Sequence, residues 1–200
     1  NSLTSNVLLT GIEILGDLQI VGETGVQKDL TAEITGDLGS ITFTGGTIAV
    51  GAANRNNTYT SATTVTENTE VILQADDAFG WTSALTASGT VTLAQGVGQW
   101  IGDLSGNGTL NLEDGSTLTL EKSGNASLGN VFAGTGTFVV DLGATNHALS
   151  FTNADANRFT GTFELSDLTF TLSQAQNAEI ASGAKFVLHS GSVFINATTI

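Results

Sequence analysis

The sequence predicts an all-β chain wound as a right-handed parallel β-helix, a solenoid of roughly eight to ten coils spanning residues 1–200 as a single domain. Three observations predict it. Short runs alternate apolar and polar residues, glycine-led marks return mostly at intervals of about 19 to 28 residues, and the chain contains no proline.

The alternating runs come first. Ile41-Thr42-Phe43-Thr44, Thr90-Val91-Thr92-Leu93, Thr109-Leu110-Asn111-Leu112 and Thr117-Leu118-Thr119-Leu120 each place large apolar side chains at every second position. Thr162-Phe163-Glu164-Leu165 and Thr169-Phe170-Thr171-Leu172 repeat the pattern later. Successive strand side chains point to opposite faces, so each run has a dry face and a wet one. β-Branched residues occur in nearly every window, as strands prefer. Proline has no N–H for a central ladder, and its absence fits a chain built mostly of paired strands.

The punctuation follows. Gly-Asp-Leu recurs at Gly16, Gly36 and Gly102, and Gly-Thr before an apolar residue recurs at Gly46, Gly89, Gly108, Gly136 and Gly161. Gly106-Asn107-Gly108-Thr109-Leu110 is echoed by Gly134-Thr135-Gly136-Thr137-Phe138. A coil of about 20 residues cannot bury its apolar face alone, whereas stacked coils align those faces into interior columns. At about 4.8 Å per strand, eight to ten coils make a rod of roughly 40–45 Å. An antiparallel sandwich fits the strand lengths but not the coil-spaced echoes. A membrane barrel needs strands of about ten residues and aromatic girdles, which a chain with one Tyr and two Trp lacks.

Three stretches break the rhythm. Ala52–Thr58 reads as a polar loop leaving a corner, Gln74–Trp81 as a longer turn carrying aromatics, and Gln174–Ile180 as a helical turn or an Ala-lined corner. Both ends look cut from a longer pattern, so the chain is expected to be a fragment.

Composition narrows the partners. Hydrophobic residues make up 40% of the chain, enough for a core and too many for disorder. The net charge is −14, and the five cations Lys28, Arg55, Lys122, Arg158 and Lys185 stand apart. Nucleic acids and anionic membranes both require clustered cations, so neither is an expected partner. No stretch reaches the ~18 apolar residues of a membrane helix, and no membrane insertion by this segment is expected. The absence of cysteine rules out disulfides and thiolate chemistry, and it suits export through an oxidising compartment.

At its echoes the sequence resembles the passenger domains of Gram-negative autotransporters, in particular those with autotransporter-associated β-strand repeats. The residues carrying the resemblance are Gly106–Leu112, Gly134–Val140 and Asn157-Arg158-Phe159-Thr160-Gly161-Thr162-Phe163. It is clearest between Gly102 and Ser192. The resemblance implies secretion, display at the outer membrane, and a role in adhesion, self-association or biofilm formation. Partners would be host or matrix glycans and proteins, or the same protein on a neighbouring cell. It implies no catalytic or cofactor residues, because the repeat is structural. A passive stalk for a distal domain is the alternative, and a carbohydrate-active β-helix enzyme a third reading.

The residues themselves point to no enzyme, cofactor or metal. His147 and His189 lack local Ser or Asp partners, and there is no Gly-x-Ser-x-Gly elbow. Ser182-Gly183-Ala184-Lys185 matches Ser-x-x-Lys, but it leads into a strand where that chemistry needs a helix start. Asp76-Asp77, Asp103, Glu113-Asp114 and Asp141 are the candidate acids of a glycan-cleaving site; solvated corner charges are the preferred reading. Acidic loops supply calcium ligands, yet the Gly-Gly-x-Gly-x-Asp repeat of calcium-binding rolls is missing. Trp81 and Trp100 offer sugar-stacking platforms if exposed, and corner plugs, the preferred reading, if not. The sequons at Asn56, Asn107, Asn125 and Asn196 arise freely in a chain so rich in Asn and Thr.

Overall fold

A computed structural model of the chain describes residues 2–3, 11–51, 57–153, 158–171 and 183–195. These residues form strands, turns and bends with no helix, and every pair of named strands runs parallel. The antiparallel contact among them is one isolated bridge, Glu23 to Val26, inside a tight turn. The architecture is a parallel β-helix.

The chain visits three faces in rotation. The first face carries Leu18–Val21, Ser40–Thr44, Ala62–Val65, Leu85–Ala87 and Leu104–Ser105, then Ala126–Leu128, Ala148–Phe151, Thr169–Thr171 and Val193–Ile195. The second carries Gln27–Leu30, Gly46–Val50, Thr69–Leu73, Thr90–Leu93, Thr109–Leu112, Val131–Gly134 and Arg158–Phe159. The third opens with Gly11–Leu15 beside Glu33–Leu38 and resumes with Gly98–Ile101, Thr117–Glu121, Thr137–Asp141, Thr162–Ser166 and Lys185–Leu188. A residue meets its counterpart 19 positions on where coils are tight, as Thr90 meets Thr109, and 25 positions on at Thr137 and Thr162. The longest unbroken ladder holds seven strands, about seven turns. That is slightly fewer than the expected eight to ten coils.

The alternation read from the sequence sets which side chains face inward. On the second face Ile48, Val71, Val91, Leu110 and Phe132 stack in register as one buried column. On the third, Ile101, Leu120, Val140 and Leu165 form another. Each such side chain contributes about 1.5–3 kcal/mol by leaving water. The solenoid holds together because every coil lends its neighbours the apolar surface they need.

Glycine marks the corners where backbones of successive coils touch. A Cβ on Gly108 would lie 1.9 Å from the carbonyl oxygen of Gly89, and one on Gly161 would lie 2.1 Å from that of Gly136. The two stacks sit at different corners, since Thr90 and Thr109 follow on the second face while Thr137 and Thr162 follow on the third. The echo between Gly106 and Gly134 therefore joins two kinds of corner. Its 28-residue spacing is one coil plus the step to the next face.

Between Leu38 and Gly98 the third face has no regular strand among the described residues, and buried side-chain amides restore its hydrogen bonds. Asn57 Oδ1 accepts from the Ile34 N–H at 2.7 Å, and its Nδ2 donates to the Ala78 carbonyl at 2.6 Å. Two coils on from Asn57, Gln99 Oε1 accepts from the Phe79 N–H at 2.9 Å, and its Nε2 donates to the carbonyls of Gly80 and Trp100. An amide offers both donor and acceptor, as a peptide group does. Beside them Tyr59, Thr63 and Thr82, all fully buried, form a hydroxyl chain with oxygens 3.0 and 3.1 Å apart, and Thr82 donates to the Ser61 carbonyl. Burial drives the Tyr59 phenol well above its ordinary pKa, while the Thr63 hydrogen bond opposes that shift in part. The Gln74–Trp81 turn exists as expected, and it sends Phe79 inward against Phe43. Most of the Ala52–Thr58 loop and all of Gln174–Ile180 lie outside the described residues.

Candidate functional site

The feature that stands out on the exterior is a pair of tryptophans on the third face. Asp77 and Gly80 both adopt positive φ, +49° and +58°, and the Gly80 N–H donates to the Asp77 carbonyl at 2.6 Å. A side chain on Gly80 would strike the Tyr59 carbonyl at 2.5 Å, so this turn requires glycine there. The turn leaves Phe79 in the core and delivers Trp81 outside. Its backbone N–H is anchored to the Tyr59 carbonyl at 3.0 Å. One coil later Trp100 points outward because Gln99 and Ile101 on either side point in.

The two indole rings lie 6.2 Å apart, centroid to centroid, with their planes tilted by 45°. Trp81 is 63% exposed and Trp100 half-buried, which corrects the expectation that these residues plug a corner. Strand alternation and the Asp77–Gly80 turn put both on the outside, and Phe79 takes the inward place instead. With Asp77 and Glu121 they line an open cleft of about 350 Å³. Glu121 Oε2 accepts the Trp100 indole N–H at 3.1 Å. Burial raises the Asp77 carboxyl above the usual aspartate range, the Trp100 backbone N–H opposes the shift, and the neighbouring Asp76 charge adds to it.

The other candidate acids are dispersed, and Asp76, Asp103, Glu113 and Asp141 are each engaged by a neighbour. Asp76 Oδ1 accepts the Gly98 N–H at 2.8 Å, and Glu113 Oε2 accepts the Gln95 N–H at 3.0 Å. Asp103 holds Lys122 through both carboxylate oxygens at 2.8 Å, and Asp141 Oδ1 accepts the Gly143 N–H. Asp114 is exposed at a turn. No three His, Cys, Asp or Glu residues among those described gather in a way that suits a metal ion. His147 Nδ1 is bonded to the Leu142 carbonyl, and His189 Nε2 lies 3.0 Å from Glu164. Among the described residues neither imidazole ring is bonded to a serine side chain. Ser182 lies outside the described residues, and Lys185 is exposed at the head of its strand. Asn56 and Asn196 also lie outside the described residues; Asn107 is exposed, and Asn125 Oδ1 accepts the Ala148 N–H.

A second exterior feature is a shallow groove of about 540 Å³ crossing several coils at the corner between the first and second faces. Thr47, Glu70, Thr90 and Thr109, which follow one another in register, form one side of it. The first face adds a row of Gln19, Thr42, Thr64, Thr86 and Ser105, with the last two hydroxyls 3.0 Å apart.

Sequence reasoning singled out both tryptophans and Asp77. It missed Glu121, which meets Trp100 only because coils stack, and it missed Asn57 and Gln99. The signal for Gln99 was present: Ile101 must face inward, so Gln99, two positions earlier, must as well. No family model, curated protein or solved structure matches the chain.

Proposed function

We propose that this chain is a segment of a secreted, surface-displayed autotransporter passenger that acts in adhesion or self-association. The exterior of the β-helix is its working surface. The observation that carries the reading is the indole pair of the third face, with Trp81 exposed, together with the polar rows that run along the first and second faces. A large ring costs stability nothing when buried and invites unwanted association when exposed, so an exposed Trp81 beside a second indole suits a contact surface. The polar rows supply many weak contacts, each worth about 0.5–1.5 kcal/mol net, and copies displayed together add avidity. In this reading the segment catalyses nothing.

The test is to display the segment on cells and to measure aggregation and attachment to glycan- and protein-coated surfaces, with and without it. Loss of attachment on deletion is the expected result. Unchanged attachment and aggregation would leave the passive stalk as the better description. Turnover of a polysaccharide abolished by one Asp→Asn change among Asp76, Asp77, Asp103, Asp114 and Asp141 would instead establish an enzyme.

A further inference from the structure

We propose that the cleft between Trp81 and Trp100 receives an arginine guanidinium presented by a basic protein partner. This rests on the reading of the exterior as a contact surface and names what one part of that surface takes.

Three observations converge on that chemistry. The first is charge. Asp77 and Glu121 flank the rings, and the nearest lysine in sequence, Lys122, is already held by Asp103 at 2.8 Å. The second is hydrogen-bonding character. Ionised carboxylates accept and do not donate, and the Trp100 N–H is taken by Glu121. Of the four lining side chains only the Trp81 N–H remains to donate, against two carboxylates that accept, so a ligand rich in donors is favoured. The third is the rings. Indole faces attract cations within about 6 Å of the centroid, and donation of the Trp100 N–H to a carboxylate adds electron density to that ring. A guanidinium is planar, stacks on aromatic faces, and spreads five donors in a fork that suits a carboxylate. An ammonium meets the charge but not the stacking. The partner is basic because the chain carries −14, which steers cationic surfaces toward it and acidic ones away.

The chain supplies its own probe. It contains two tryptophans, and both line the cleft, so tryptophan fluorescence reports on this place alone. The purified chain is titrated with acetyl-Gly-Arg-Gly-amide, with the same peptide carrying the neutral isostere citrulline, with its lysine counterpart, and with cellobiose. The expected result is a saturable change with the arginine peptide, weaker with lysine and absent with citrulline and cellobiose. Calorimetry on Trp81→Ala and on Glu121→Gln should each show affinity reduced about two- to fivefold, with circular dichroism and melting unchanged. Equal responses to arginine and citrulline, or saturation by cellobiose alone, would overturn the proposal in favour of a neutral ligand. A response that never saturates and is indifferent to both substitutions would overturn it as general attraction to an acidic chain. The adhesive reading is judged separately. If the peptide binds but displayed cells do not attach, the guanidinium site stands and adhesion falls; if cells attach and the peptide does not bind, the reverse holds.

Discussion

From Ile34 to Ile101 the interior is mostly aliphatic, with Phe43, Tyr59 and Phe79 as its buried rings, and on its third face side-chain amides take over hydrogen bonds that regular strands make elsewhere. From Phe132 to Phe186 the described residues include strands on all three faces, and phenylalanine fills the middle: Phe132, Phe138, Phe151, Phe159, Phe163, Phe170 and Phe186 touch ring to ring. The difference shows two ways of filling the same cross-section. Aromatic packing leaves no polar group to satisfy but is intolerant of lost volume. An amide network adds little net stability when complete, yet leaves buried orphans when one member is removed. It is also in the amide-supported coils that the exposed tryptophan pair occurs, because the turn that interrupts the strand is the turn that projects Trp81.

The contrast can be broken at its strongest point first. Phe163 meets Phe132, Phe138, Phe151, Phe159 and Phe186. Phe163→Ala should cost about 3–5 kcal/mol. Because coils depend on their nearest neighbours, amide hydrogen exchange should quicken around Thr137–Asp141 and Lys185–Leu188 and stay slow around Thr69–Leu73. Uniform loss of protection would show that the two regions melt as one.

A smaller effect is expected at Gln99, which heads the otherwise apolar column of Leu118, Phe138, Phe163 and Phe186. Gln99→Leu matches that column in hydrophobicity but strands the Phe79 N–H and the Gly80 carbonyl. Net destabilisation of about 1–3 kcal/mol in urea melts is the expected result, and a gain in stability would mean that the amide is dispensable. Thr63→Val, in the inward column between Ile41 and Leu85, removes the hydroxyl that links Tyr59 to Thr82. It should cost about 1 kcal/mol, read in the same way.

The smallest effect is pH-dependent and belongs to the cleft. Because the folded state holds the Asp77 carboxyl above its ordinary range, that group favours folding at acid pH, below the unfolded value. The contribution is lost as pH rises through the raised value. Asp77→Asn should therefore raise Tm slightly at neutral pH, with the gap closing as the pH falls below the usual carboxylate range. Asparagine tolerates the positive φ at this position. Asp76 and Glu121 are the other charges nearby, and a gap that widened in acid would contradict the sign.

Much of the architecture is legible in the chain itself. The run Thr90–Leu93 coincides with an observed strand, as does Thr109–Leu112, and Thr117–Leu120 falls one residue short of its strand. Alternation in those runs names the inward side chains because pleating is a local property of the backbone. The corner glycines are legible for the same reason, although which corner each serves is not. Gly108 and Gly136 sit in nearly identical local sequence yet begin different faces, since a face is defined only by what lies one coil above and below.

The candidate site divides along the same line. Trp81, Trp100 and Asp77 can be picked from the sequence as an unusual group, but their exposure, the 6.2 Å approach of the rings and the arrival of Glu121 follow from stacking. Local sequence determines the strand period, the turn chemistry and the charge of this protein, because each depends on a few adjacent residues. Tertiary structure alone decides which residues 19 to 25 positions apart become neighbours. Coil length varies from turn to turn, and no short window of sequence contains both partners of a lateral contact.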